Sequence, residues 1–183
     1  MKDFLIARAY FFGWSIIRRV PEKNANELFA WLGKRMYRKN GKSVRRLRSN
    51  LSRVHPQITS RDLENLTRKG VLSYMRYWVE TFRSPDWSSE RILSTVTVGN
   101  ENLLMDPIRS KTSVVVALPH AGNWDHAGSY FCLRGARLVT VAEILKPRAL
   151  FEKFLEYRQD IGMEVLPLDS TAFPALLDRA CDG

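Results

Sequence analysis

The stretch over residues 113–125 reads SVVVALPHAGNWD. Its apolar, valine-rich first half predicts a buried strand over 113–118. Pro119 ends that strand because it has no N–H to donate to a neighbouring strand. A glycine then allows a tight turn, and Asn123 is a good N-cap for a helix that follows. His120 is therefore expected at the carboxyl end of a strand, where open α/β sheets place their active sites.

His120 and Asp125 form a candidate catalytic pair. On one continuous helix, residues five positions apart point about 140° away from each other, so a direct pair needs the turn at Gly122. An imidazole oriented by a carboxylate suits a general base that removes a proton from a hydroxyl. The residues between them include no Ser or Cys, so the stretch does not indicate a covalent nucleophile. Backbone N–H groups at the helix N-terminus would stabilise an oxyanion.

Strands and helices alternate after this stretch. The sequence predicts strands over 138–142 and 163–168, with helices over 147–160 and from about residue 170 to 181. A further short strand is predicted over 95–98. This alternation predicts an α/β fold with a mostly parallel sheet flanked by helices.

Three charged residues, Glu143, Lys146 and Arg148, follow the strand predicted over 138–142. They are expected at the same edge of the sheet as His120. One interpretation is a structural ion pair between Glu143 and Lys146 or Arg148. The other is that Lys146 or Arg148 binds a phosphate group of a substrate.

The first 17 residues read MKDFLIARAYFFGWSII. Their apolar part is shorter than the roughly 20 residues that span a bilayer, and a signal-peptide cleavage site is lacking. Phe11, Phe12 and Trp14 are of the residue types that favour the membrane interface. We therefore predict a helix that lies on a membrane surface, and an ordinary core helix is the alternative.

The balance of charge favours an anionic partner. Lys and Arg number 29 against 19 Asp and Glu, a formal net charge of +10. All the charged residues over 34–48 are basic, and Arg45 and Arg46 lie in this run. Beside an aromatic amphipathic helix, such a run is typical of membrane attachment. A solvated helix face is the alternative.

The motif from His120 to Asp125, HAGNWD, resembles the His-x4-Asp signature of the lipid A biosynthesis acyltransferase superfamily. Residues 45–54 (RRLRSNLSRV), 74–83 (YMRYWVETFR) and 141–147 (VAEILKP) are also similar to it. The similarity is greatest to the actinobacterial phosphatidylinositol mannoside acyltransferases. The resemblance implies a glycerol-3-phosphate-acyltransferase-like fold.

We expect one acyltransferase domain over 1–183, with a helical, basic, membrane-facing segment over 1–58 and the catalytic α/β part over 59–183. Family members are considerably longer, so we expect this sequence to be incomplete at its C-terminus. As given, the chain is expected to be inactive or poorly stable.

The resemblance also implies a reaction. A membrane-associated O-acyltransferase of this family transfers a fatty acyl group, here palmitoyl, from acyl-CoA to a sugar hydroxyl of an anionic phosphatidylinositol mannoside. His120 is then the general base and Asp125 its catalytic partner. No cofactor or metal is expected besides acyl-CoA as co-substrate, and the enzyme is expected on the cytoplasmic face of the bacterial plasma membrane. The residues expected to bind substrate are Asn123, Trp124, Glu143, Lys146 and Arg148.

Three alternatives remain open. The acceptor could be a lipid A-type Kdo-lipid or another glycolipid or phospholipid. A basic nucleic-acid-binding protein using residues 34–53 is a distant second class, but the chain matches no helix-turn-helix, RRM or OB pattern, so no nucleic-acid partner is expected. A metal hydrolase using His120, Asp125, His126 and Glu143 is the third. His126 directly follows Asp125 on the predicted helix, so their side chains diverge, and we expect His126 to be structural.

Overall fold

The computed structural model of the protein describes residues 2–119 and 121–182, with side chains from Ala7 onward. It is an α/β structure that consists mostly of helices, which confirms the predicted class. The helices are α1 (Lys2–Arg19), α2 (Glu22–Lys39), α3 (Lys42–Val54), α4 (Ser60–Arg83), α5 (Ser89–Thr95), α6 (Asn102–Arg109), α7 (Trp124–Leu133), α8 (Arg148–Asp160) and α9 (Ala172–Cys181).

Two short strands, β1 (Val139–Ala142) and β2 (Glu164–Pro167), form a parallel pair in which Val139 lies opposite Glu164. Helix α8 connects them, so the segment is a strand–helix–strand unit of the kind that the alternating pattern predicts. Both strands lie within their predicted ranges. Arg179 of α9 donates to the Glu164 carboxylate at 2.8 Å and thereby holds the pKa of that group below its usual value.

The strand predicted over 113–118 is not formed. These residues have no regular secondary structure and are exposed, and Val115 is 95% exposed. A strand is defined by its hydrogen-bonded neighbour, and in the described part of the chain the sheet contains only β1 and β2. The hydroxyl of Ser113 donates instead to the carbonyl of Ala180 at 2.7 Å.

The strand predicted over 95–98 is also wrong. Thr95 is the last residue of α5, and the residues after it are not paired. The Ser88 hydroxyl caps this helix by accepting from the backbone N–H of Arg91. This cap stabilises a helix that extends to Thr95, so the chain is helical where the alternating pattern predicted the start of a strand.

The chain forms two compact units. One is Trp14–Arg83, and the other consists of the described residues on either side of it. In the first unit α4 packs against both α2 and α3, so its buried residues, which include Val71 and Val79, form a core with Val44 of α3. The predicted boundary at residue 58 is not tested by this division and stays a prediction.

Trp14 lies in this core, so the prediction that it faces a membrane is wrong. Its side chain is 4% exposed, its Nε1 donates to the carbonyl of Phe82 at 3.0 Å, and the two rings are 5.0 Å apart. The Arg83 guanidinium donates to the carbonyls of Ile17 and Val20, each at 2.6 Å, and so satisfies carbonyls at the C-terminal end of α1.

The other residues predicted to face a membrane lie at the surface to different extents. Phe12 is 68% exposed and Phe11 is half-buried. Arg45 and Arg46 are exposed on α3, whose buried Val44 lies on the opposite side from solvent. Among the described residues, no helix has the length and apolar content needed to cross a bilayer.

Glu64 of α4 joins α2, α3 and α4. Its carboxylate accepts from Arg48 of α3 at 2.6 and 3.0 Å and from the Tyr37 hydroxyl of α2 at 2.6 Å. Arg48 also donates to the side chain of Asn40, the residue that ends α2 in a left-handed conformation. The hydrogen bonds from Arg48 and Tyr37 hold the pKa of the Glu64 carboxyl below its ordinary value.

This network predicts a pH-dependent contribution to stability. Because the pKa is lowered in the folded state, the contribution is present above the ordinary value of 4.5 and is lost as the pH falls through the lowered native value. Glu64→Gln should therefore reduce the free energy of unfolding near neutral pH, by no more than about 1 kcal/mol because the pair is partly solvated. Urea unfolding should show this difference shrinking in acid.

Glu27→Gln is the matched control, since Glu27 is exposed on α2 and outside this network. A pH-independent difference between parent and Glu64→Gln would contradict the assignment.

Candidate active site

The turn and the helix predicted after Pro119 are confirmed where the structure describes them. Gly122 has a φ of +67°, a left-handed conformation that glycine adopts without strain. Asn123 caps α7, because its side-chain oxygen accepts from the backbone N–H of His126 at 3.0 Å. The predicted helix then runs to Leu133. His120 lies outside the described residues, so its position and its role stay predictions.

Asp125 lies in the first turn of α7 and is 2% exposed. Its Oδ1 is 3.2 Å from Nε of Arg158, whose side chain is 20% exposed. A buried carboxylate is stable as an anion only when it is paired and hydrogen-bonded, and Arg158 supplies both a charge and a donor. The predicted catalytic carboxylate is thus fixed at the helix start by a residue from α8.

Sequence reasoning did not find Arg158. It lies in the last turn of α8, where a basic side chain is common because it interacts favourably with the helix dipole. Nothing in the local sequence distinguishes it from the other arginines near helix ends. The only available signal was the chemical requirement that a buried Asp125 needs a cationic partner, and burial is not visible in one sequence.

His126 makes the structural contacts that were expected of it. Its Nε2 is 3.0 Å from the Thr95 hydroxyl, and its ring lies edge-on to Trp87 at 5.1 Å. Because that hydroxyl is also 2.7 Å from the carbonyl of Arg91, it donates there and accepts the proton of Nε2. These contacts tie α7 to α5. Among the described residues, no three His, Cys, Asp or Glu side chains lie close enough together to hold a metal ion.

The remaining candidate residues are less enclosed. Trp124 is half-buried, and Glu143, Lys146 and Arg148 are exposed. Arg148 pairs with Glu152 one turn along its own helix at 3.1 Å, in place of the ion pair to Glu143 that was one of the two sequence interpretations. Their binding of substrate stays a prediction.

Comparison with known proteins identifies the family. The sequence-family model for bacterial lipid A biosynthesis acyltransferases matches residues 2–180, and the chain belongs to this family. It is 37% identical to a phosphatidylinositol mannoside acyltransferase of Mycolicibacterium smegmatis, over 95% of this chain and 58% of that protein. It is 35% identical to a protein of the same name from Mycobacterium tuberculosis, over 91% of this chain and 52% of that protein. The chain thus spans somewhat more than half the length of these relatives.

The pair between Asp125 and Arg158 predicts a large effect on stability. Arg158→Met should lower the free energy of unfolding by about 3 kcal/mol, because it leaves a carboxylate buried without its cation. Adding Asp125→Asn to this variant should recover part of the loss, since the uncompensated charge is then removed. Urea denaturation followed by far-UV circular dichroism measures both.

Arg109→Met is the control, because Arg109 pairs with Asp106 on an exposed surface of α6, where such pairs contribute little. Equal losses of unfolding free energy for Arg158→Met and Arg109→Met would show that the buried pair contributes no more to stability than the surface pair.

Proposed function

We propose that the protein transfers a fatty acyl group, palmitoyl, from acyl-CoA to a sugar hydroxyl of a phosphatidylinositol mannoside. The observation that carries this proposal is the 37% identity, over 95% of the chain, to a protein named phosphatidylinositol mannoside acyltransferase. The buried Asp125 at the start of α7 supports it, because a rigidly held carboxylate directly follows the segment that contains His120.

In this reaction His120 acts as the general base. Its imidazole removes the proton of the sugar hydroxyl while the hydroxyl oxygen attacks the carbonyl carbon of the thioester. The C–S bond then breaks, and the imidazolium returns the proton to the leaving thiolate, which gives the ester and coenzyme A. Asp125 orients the imidazole and stabilises its cationic form.

Arg158 is a positioning residue in this mechanism. Its guanidinium holds the carboxylate of Asp125 through Oδ1, so that α8 limits the side-chain rotation available to a residue in the first turn of α7. A fixed carboxylate costs no reorganisation when the imidazole becomes charged. Backbone N–H groups at the start of α7 are suited to the oxyanion of the tetrahedral intermediate.

We infer that the two-stranded parallel unit of β1, α8 and β2 is part of a glycerol-3-phosphate-acyltransferase-like sheet. Glu143, Lys146 and Arg148 follow β1 at its carboxyl end, which is the edge where α/β enzymes bind their ligands. Their exposure leaves the two cationic side chains accessible to a phosphate of acyl-CoA or of the acceptor. Asn123 and Trp124 directly precede Asp125 and are proposed to contact the acceptor sugar.

Removal of the base should abolish acyl transfer. Because the relatives are longer than this chain, the assay uses a chimera in which the chain replaces the 177 aligned residues of the Mycolicibacterium smegmatis protein. Palmitoyl-CoA and a panel of phosphatidylinositol mannosides and Kdo-lipid acceptors are supplied, and mass spectrometry identifies the product. His120→Ala should lower the rate by about 10²-fold or more, with an unchanged circular dichroism spectrum.

His55→Ala is the control, since His55 is exposed after α3 and has no assigned role. Transfer only to Kdo-lipids would assign the lipid A-type acceptor instead. Retained transfer by His120→Ala would remove His120 as the base.

We also propose that the protein acts at the cytoplasmic face of the bacterial plasma membrane as a peripheral protein. Phe12 is an exposed aromatic residue on α1, and Arg45 and Arg46 are exposed cations on α3. An apolar contact and a basic surface are the two signals that peripheral attachment requires. Phe11 is half-buried and contributes less area than Phe12.

Attachment predicts a dependence on lipid charge. Replacing both Arg45 and Arg46 by Ala should weaken binding to phosphatidylglycerol vesicles by about 2 kcal/mol, or about thirty-fold, with little effect on phosphatidylcholine vesicles. Phe12→Ser should weaken binding to both kinds of vesicle. Flotation of the protein with vesicles measures the bound fraction.

Arg68→Ala with Lys69→Ala on α4 is the matched control for the lost charge, since both residues are exposed. Equal effects of the two double variants would mean that net charge alone, and not the α3 surface, determines binding.

A further inference from the structure

A groove lies where α2 ends and α3 begins, within the unit Trp14–Arg83. It is open to solvent, has a volume of about 360 Å³ and is lined mostly by apolar surface, with Leu32, Met36 and Val44 among the residues that form it. This volume is at the lower end of the range of roughly 300–1,000 Å³ that is typical of small-molecule sites. The groove is therefore large enough to hold part of a ligand.

The rim of the groove is basic. Arg35, Lys39 and Lys42 line it, all three are exposed, and no acidic residue is among its lining residues. Within the described chain these three cations form no ion pair. Glu64 of the same unit is already bound by Arg48 and Tyr37. The positive charge around the groove is therefore not compensated by the protein's own carboxylates.

The turn between the two helices adds donors to the same place. Gly41 is the N-cap of α3 and has no side chain to accept from the first backbone N–H groups of the helix. Gly41, Lys42 and Ser43 all line the groove. Free backbone donors at a helix start favour an anion, and they reinforce the charge of the rim.

We propose that this groove binds one anionic phospholipid molecule, with its phosphate at Arg35, Lys39 and Lys42 and the start of an acyl chain over Leu32 and Met36. An amphiphile with a negative head matches both the apolar floor and the basic rim. A free phosphate ion would use only the rim, and a neutral lipid would use only the floor. The site lies in a different unit from Asp125 and does not depend on the proposed acyl transfer.

The groove is also distinct from the surface at Arg45 and Arg46, which do not line it. General attraction of a basic surface to an anionic bilayer requires no cavity, and it acts on any exposed cation nearby. Binding in the groove requires a particular apolar floor and particular cations. A lipid presented as single molecules, without a bilayer, separates the two.

The test titrates the full chain with dihexanoyl phosphatidylglycerol below its critical micelle concentration, followed by calorimetry and by amide chemical shifts. Dihexanoyl phosphatidylcholine and inorganic phosphate are titrated in parallel. The expected result is that the anionic lipid binds at least about tenfold more tightly than either comparison ligand, with shifts at residues 32–44. Equal binding of the two lipids, or of phosphate alone, would overturn the proposal.

Variants locate the site. Lys39→Ala with Lys42→Ala should weaken binding of the anionic lipid about tenfold or more, because two cations next to the phosphate are removed. Arg68→Ala with Lys69→Ala removes the same charge elsewhere in the unit and should change binding by less than about twofold. If the two double variants bind alike, the groove is not the site.

Met36→Gln tests the floor by placing a polar side chain there and should also weaken binding. His120→Ala should bind the lipid as the parent does. If the parent chain does not bind the anionic lipid, the groove proposal is refuted and the acyl-transfer proposal is unaffected. If the parent chain binds the lipid but acyl transfer is absent, the acyl-transfer proposal is refuted and the groove proposal is unaffected.

Discussion

The ion pair between Asp125 and Arg158 is the constraint on which the arrangement around the candidate site depends. A carboxylate that is 2% exposed is tolerated because a guanidinium meets it at 3.2 Å, so α7 and α8 are fixed relative to each other where they meet. Replacing such a pair by apolar residues is often neutral for stability. The catalytic role proposed for Asp125 would require a charge at this position, which stability alone does not.

Close packing behind the pair supports the same rigidity. A Cβ added to Gly128 of α7 would overlap the end of the Met163 side chain, next to β2, and would lie 3.4 Å from Leu138, next to β1. Gly162, at φ +95°, also approaches Cys132 of α7 closely, with an added Cβ 2.9 Å from the Cys132 Cβ. Glycines at these places let α7 lie directly on the strand ends. The first turn of α7, which carries Asp125, therefore belongs to a tightly packed element.

The sequence predicted the parts of the fold that local signals determine. Asn123 as an N-cap, the positive φ of Gly122 and the two strands around α8 each follow from neighbouring residues. The prediction of a strand over 113–118 was wrong because strand pairing is not a local property. A valine-rich segment forms a strand only where a neighbouring strand is available to pair with it. The prediction that Trp14 faces a membrane was wrong. An aromatic ring with an N–H is suited to a membrane interface, but it is equally suited to a protein core that offers an acceptor such as the Phe82 carbonyl. Arg158 is 33 positions from Asp125, and no periodic pattern links the two.

The basic run over 34–48 also could not be interpreted fully from the sequence. The structure shows which of its basic residues have partners within the described part of the protein and which do not. Arg48 is bound by Glu64 and so belongs to the scaffold of three helices. Arg83, further along, is likewise used within the protein, at the carbonyls that end α1. Arg35, Lys39 and Lys42 instead surround an apolar groove, while Arg45 and Arg46 face solvent on α3. The number of basic residues in this part of the sequence therefore overstates the number of cations available to a ligand. Because the cations differ in what lies beside them, recognition of an anionic lipid depends on their neighbours more than on their number.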